Sequence, residues 1–193
     1  MKQTTIGFAL TGSFCTFERA LSQMEELVKR GYDVLPVLSF NAGTLDTRFM
    51  KAERLRERIT AITGHAPIDT LVDAEPIGPK KLCDVFVIAP ATGNSLSKLV
   101  NGQFDTPALL GAKSHLRKEN PLVLAVSTND GLGAAAQNIG KLLTWRNVYF
   151  VPFGQDDPLK KPRSLVADFD QIPRTVAAAL AGAQVQPMLT QRG

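Results

Sequence analysis

The sequence predicts a three-layer α/β fold on one parallel, doubly wound sheet, and three observations carry that prediction. Residues 85–89 and 122–126 are apolar at every position, as strands covered on both faces are. Helical patterns with one apolar side separate successive strand-like runs, which is the alternation of a βα architecture. The length, 193 residues, suits a single domain with a sizeable core.

The elements follow in order. Residues 6–10 form the first expected strand, turned by Thr11, Gly12 and Ser13. A helix follows over 16–30, with Phe17, Leu21, Met24 and Val28 on one side and Gly31 as its stop. The second strand, 34–38, contains Pro36, which cannot donate to a ladder and so points to a sheet edge or a strand end. Residues 48–63 read as a charged, exposed helix ending at Gly64, and 68–77 as irregular chain or a short strand. The central strand, 85–89, stops at Pro90. Helices over 96–100 and 107–118 flank the turn at Asn101 and Gly102. After the strand at 122–126 come an alanine-rich helix over 132–143 and a last clear strand at 148–151. Residues 1–156 thus make the main body. Residues 157–193 read as a charged, proline-broken basic loop, a helix over about 170–181 and a tail, all packed on the same domain.

Composition narrows the function classes. There are 22 Lys and Arg against 18 Asp and Glu, a net charge of +4, and the charges are scattered. No basic stripe interleaved with aromatics supports a nucleic-acid partner, whereas a mildly basic chain suits an anionic small molecule. Two cysteines, Cys15 and Cys83, imply neither a disulfide framework nor a metal cluster. The chain starts without a secretory apolar segment, and no apolar run approaches the roughly 20 residues that cross a bilayer. A cytoplasmic protein without a membrane partner is the expectation.

Open α/β sheets bind ligands outside the carboxyl ends of their strands. The first such loop holds one glycine, Gly12, where a dinucleotide fingerprint wants three. The second strand ends in Ser39, not in the Asp or Glu that would accept a ribose hydroxyl. Gly12 permits close backbone approach and Ser13 offers N–H and hydroxyl donors, so this corner suits a phosphate. At the third strand end, a turn through Thr92 to Ser95 opens a helix whose first N–H groups suit an anion or a polar ring edge. The amide of Asn94 both donates and accepts, which fits a ring edge carrying both functions. The plainer reading of both turns is a helix cap, by Thr92 or Asn94 at one and Ser13 at the other. Lys98, one helical turn beyond Asn94, points either to solvent or to a ligand.

The order Pro90-Ala91-Thr92-Gly93-Asn94-Ser95 resembles the PASANT loop of the homo-oligomeric flavin-containing cysteine decarboxylase family. The run from Pro90 to Asp105 follows that family's pattern P-x-x-x-N-x-L-x-K-x-x-x-G-x-x-D, and residues 121–129 resemble its second motif, a strand ending in P-A-M-N. The resemblance implies a flavodoxin-like, Rossmann-like fold, bound flavin mononucleotide (FMN), and a homo-oligomer with the flavin near a subunit interface. It implies FMN contacts from Gly12, Ser13, Phe14, Ser39, Ala91, Thr92, Gly93, Asn94, Ser95 and Ser127, and a substrate carboxylate on Asn129. Two positions depart from the pattern. Pro76 stands where the cysteine decarboxylases carry a catalytic histidine, and Ser127 where the flavin prenyltransferases carry an arginine. His65 and His115 read as surface side chains, so no catalytic residue is assigned.

Residues 157–167 and the tail from Gln186 to Leu189 are similar to one branch of the family, the B subunits of dipicolinate synthases in spore-forming bacteria. That similarity implies a planar dicarboxylate formed from a dihydrodipicolinate-type precursor, an A subunit as partner, and the cytoplasm of a sporulating mother cell. The flavin would accept hydride as the ring becomes aromatic. In this reading the basic loop folds over the pocket mouth and Lys161, Arg163 and Ser164 meet a second carboxylate. A solvated basic loop is the alternative. Two further functions stay open: decarboxylation or prenyl transfer, which Pro76 and Ser127 oppose, and a non-catalytic flavin-fold partner.

Overall fold

Strands buried on both faces organise the molecule. The computed structural model describes residues 3–190. Strand β1 (Thr5–Leu10) leads into helix α1 (Phe17–Lys29), strand β2 (Asp33–Leu38) and the short helix α2 (Phe40–Thr44). Helices α3 (Ala52–Thr63) and α4 (Leu71–Ala74) precede the central strand β3 (Val85–Ala91), which is followed by α5 (Gly93–Val100) and α6 (Pro107–Leu116). Then come β4 (Leu122–Thr128), α7 (Ala135–Leu143), β5 (Val148–Phe150), a hairpin of β6 (Phe153–Asp157) and β7 (Lys161–Ala167), and α8 (Ile172–Leu180).

The sheet runs β2-β1-β3-β4-β7-β6, with β5 also paired to β4. Helices α1, α3 and α8 pack together on one face, and α4 to α7 on the other. The three-layer α/β fold therefore stands as expected, but the sheet is mixed rather than wholly parallel. β5 covers only Leu122 to Leu124 of β4. The exposed end of β4 is taken by β7, which runs antiparallel with Ser127 opposite Val166. β6 pairs antiparallel with β7 in turn. Residues 161–167, expected to begin as a loop, are thus a strand.

Local chemistry explains the individual elements. Helix α1 buries Phe17, Ala20, Leu21, Met24 and Leu27, a helical stripe turned to the sheet. It stops before Gly31, whose φ of 86° is cheap only without a side chain. β2 is an edge strand, as Pro36 requires. Its outer side is closed by one residue, Ile68, whose N–H donates to the Pro36 carbonyl at 2.9 Å and whose carbonyl accepts from Leu38 N–H at 2.8 Å. β3 does not stop at Pro90 but reaches Ala91, with its register against β4 shifting between Ile88 and Ala91. Helix α3 begins at Ala52 rather than 48, because the Asp46 carboxylate accepts from Ala52 N–H at 2.9 Å. Helix α7 begins at Ala135 rather than 132. Asp130 there folds back and accepts from Ala134 N–H at 2.8 Å.

His115 is the largest departure from expectation. It is fully buried, its ring 6.0 Å from that of Phe86. Nε2–H donates to the Pro121 carbonyl at 3.1 Å, which fixes that tautomer and leaves Nδ1 to accept from the Cys83 thiol at 3.5 Å. Burial lowers its pKa to about 4 and pushes the Cys83 thiol up to about 12. The pair is neutral and inert, part of the core. His65 does lie near the surface, 2.8 Å from the Asp33 carboxylate.

Candidate functional site

Three loops meet at the carboxyl ends of β1, β3 and β4. Thr11 ties the first two together: its hydroxyl donates to the Pro90 carbonyl at 2.7 Å and accepts from Thr92 N–H at 3.4 Å. In the first loop Ser13 N–H turns back to the Thr11 carbonyl at 2.8 Å. The N–H groups of Gly12, Phe14 and Cys15 are left without a partner among the described residues. The hydroxyls of Ser13 and Ser127 stand 2.8 Å apart and join the first loop to the end of β4.

The second loop starts α5. Thr92 caps it, accepting from Ser95 N–H at 3.1 Å, so Gly93 and Asn94 keep unused N–H groups at the helix start. A side chain at Gly93 would place its Cβ 2.8 Å from the Thr128 hydroxyl, which holds this position to glycine. At the end of β2, the Ser39 hydroxyl accepts from Ala42 N–H at 3.3 Å and caps α2.

Two adjoining clefts result. The larger, about 1130 Å³, takes Gly12 to Thr16 from the first loop, Thr92 to Asn94 from the second, and Ser127 to Asp130 from β4 and the turn after it. The smaller, about 310 Å³, holds Ser39, Ser95 and Lys98 and shares Gly12, Thr92 and Asn94 with the larger. Lys98 faces the smaller cleft, where its ammonium donates to both Asp105 oxygens at 2.7 and 2.9 Å. That contact holds the Asp105 carboxyl below its usual range. The smaller cleft therefore presents N–H and hydroxyl donors beside an already neutralised carboxylate, a chemistry that accepts a phosphate.

The sequence of residues 1–171 matches the flavoprotein family model. The chain belongs to the flavoprotein family. It is similar to the dipicolinate synthase B subunit of Bacillus subtilis (strain 168), with 48% identity over 99% of this chain and 96% of that protein. The crystal structure of the dipicolinate synthase B subunit from Bacillus halodurans superposes with a TM-score of 0.90 at 46% identity, covering 98% of this chain and 97% of that one. The FMN-dependent cysteine decarboxylase SpaF shares the fold, with a TM-score of 0.63 at 21% identity over 92% of this flavoprotein and 97% of its own chain.

Within this flavoprotein, the ten cofactor positions expected from sequence gather around the two clefts, apart from Ala91, which is buried at the end of β3. Asn129 is exposed on the larger cleft, and Ser164 lines it while donating to the Thr128 carbonyl at 3.3 Å. Lys161 also lines it, paired with Asp156 at 2.6 Å, which raises the ammonium's pKa. Arg163 lines neither cleft. Its side chain is exposed, and its carbonyl accepts from Leu132 N–H at 3.0 Å. Pro76 lines neither cleft, nor does either histidine.

Sequence reasoning missed several residues of the larger cleft. Arg19, on α1, stacks its guanidinium 4.9 Å from the centre of the Phe169 ring, and Arg48 does the same over Phe49 at 4.8 Å. Asp130 and Asn138 enter from the turn before α7 and from α7 itself. Asn138 had a readable signal. It sits on the buried stripe of α7, between Ala135 and Leu142, where an apolar residue is expected.

Proposed function

We propose that this flavoprotein is the FMN-binding component of a dipicolinate synthase, working with an A subunit to form dipicolinate from a dihydrodipicolinate-type precursor. One observation carries the reading. The unpartnered N–H groups of Gly12, Phe14, Cys15, Gly93 and Asn94 converge on clefts in which the one carboxylate near the phosphate corner is neutralised by Lys98. Such a set favours a phosphate-bearing ligand and disfavours the ribose diol of a dinucleotide. The 48% identity to a dipicolinate synthase B subunit supports the same substrate class.

Gly12, Ser13, Phe14 and Ser39 would hold the FMN phosphate, with Ser127 supporting Ser13 through their hydroxyl contact. Ala91 to Ser95 would hold the ring edge, Asn94 through its amide. When bound, FMN supplies a two-electron acceptor. The protein's part is to bind and orient both molecules and to keep water from the reacting faces. Asn129 would meet a substrate carboxylate. Aromatisation drives hydride loss, and this suits a cleft that contains no histidine among the described residues. A decarboxylase of this family would need an acid or base where Pro76 stands, and proline offers neither.

The exposed side chains of Phe40, at the smaller cleft, of Phe49, at the larger, and of Leu45 suit a homo-oligomer interface near the site. Among the described residues no helix is long and apolar enough to cross a membrane, which suits action in the cytoplasm of a sporulating mother cell. The test is anaerobic: FMN-loaded protein and its A subunit are mixed with the precursor. Bleaching of the flavin band with dipicolinate formation is expected, and dipicolinate formed without bleaching would overturn the assignment.

A further inference from the structure

We propose that Arg19 and Asn138 hold the acidic substrate in the larger cleft, Arg19 pairing with one carboxylate and Asn138 donating to the other from the opposite helix layer. The inference rests on the FMN-and-dicarboxylate reading above and supplies the second carboxylate partner that Arg163, outside the cleft, does not.

The charges lining the larger cleft are Arg19, Arg48, Lys161, Asp130 and Asp156. Lys161 and Asp156 neutralise each other. Asp130 already accepts a backbone N–H from Ala134. Arg48 is exposed and lies over Phe49, itself 49% exposed, so it stands at the rim. Arg19 remains. It is partly buried, its side chain has no ion pair or hydrogen bond among the described residues, and it is braced on the fully buried Phe169 ring. A guanidinium held in place, partly desolvated and without a counter-ion is prepared for a planar carboxylate, which it grips through two parallel hydrogen bonds.

Asn138 is an independent indication. It is only 8% exposed, lines the same cleft, and its amide makes no hydrogen bond to any described residue. Its amide atoms are not sealed in the core but open onto the cleft, where a ligand can use both the donor and the acceptor. Arg19 belongs to the α1 layer and Asn138 to the α7 layer, so a flat molecule between the layers is met from both sides. A cleft of about 1130 Å³ exceeds the roughly 300–1,000 Å³ of a single small-molecule pocket. It has room for a second ring beside the cofactor.

The probe is pyridine-2,6-dicarboxylate, titrated into FMN-loaded protein and followed by the shift of the flavin absorption band. Pyridine-2-carboxylate serves as the one-charge control. In Arg19→Gln the dicarboxylate affinity should fall at least about tenfold, the loss of one charge-assisted contact. The preference over the monocarboxylate should shrink with it. Arg19→Lys should recover part of the loss, and Asn138→Leu, close in volume, should lose about fivefold or more. FMN affinity should stay within about twofold throughout, which also shows that the variants fold. Wild-type dicarboxylate affinity in both Arg19→Gln and Asn138→Leu would overturn the proposal. So would a parallel loss of FMN, which would assign the residues to the cofactor. Wild-type protein that binds FMN but not the dicarboxylate would remove the functional reading beneath it, and this proposal with it.

Discussion

Replacing His115 by glutamine removes a titratable ring from the core while keeping a donor for the Pro121 carbonyl. The wild-type ring is buried against Phe86 and holds its pKa near 4, against an ordinary value of 6.5. The folded state therefore disfavours the protonated ring. Its contribution to stability is fully present above pH 6.5 and is lost as pH falls toward 4, because the unfolded chain takes up a proton that the folded chain refuses. Linkage over that interval gives at most roughly 3 kcal/mol, of which about 2 kcal/mol is lost between pH 7 and pH 5. Urea unfolding of both proteins at pH 7, 6 and 5 isolates this contribution, since all other titrating groups are shared. The wild type's advantage over His115→Gln should shrink by about 2 kcal/mol from pH 7 to pH 5. Unfolding free energies that run parallel with pH would show that His115 titrates normally and that the neutral Cys83–His115 pair is wrongly described.

Two further outcomes follow from the core and the first loop. Gly7→Ala would bring a Cβ to 2.5 Å from the buried Phe86 ring, so it should destabilise by about 1–3 kcal/mol through overpacking while FMN affinity is unchanged; an undiminished Tm would contradict it. With iodoacetamide at pH 8, the exposed Cys15 should be modified in the native protein while Cys83, buried with its thiol pKa near 12, should react only after unfolding. Mass spectrometry of tryptic peptides distinguishes the two.

The parts of the fold that were legible in the sequence are those where burial is uniform. Residues 85–89 and 122–126 announce central strands because both faces are covered, and Pro36 announces an edge. The β6–β7 hairpin was not legible. Its outer end, from Asp156 to Arg163, is charged and exposed, and Pro162 sits where the hairpin needs no N–H from it. What makes β7 a strand is the open end of β4, a tertiary fact. The same holds for His115, whose helix is apolar enough to bury it although the residue type is ordinarily at the surface. At the site, Gly12, Ser39 and the Thr92 to Asn94 turn were visible because loop chemistry is local. Arg19 was not, since it faces the cleft only through packing on Phe169, a residue 150 positions away in the chain.

On the proposed function, a flavin held at these loops takes electrons from an acidic ring precursor. One anaerobic experiment decides it: wild-type protein is first titrated with FMN and with NAD, then mixed with its A subunit and the dihydrodipicolinate-type precursor while the flavin band is recorded. The expected result is FMN binding at one per chain in preference to NAD, loss of that binding in Ser39→Asp through charge repulsion of the phosphate, and stoichiometric bleaching matched by dipicolinate. Preference for NAD, or dipicolinate formed while the flavin band stays intact, would contradict it.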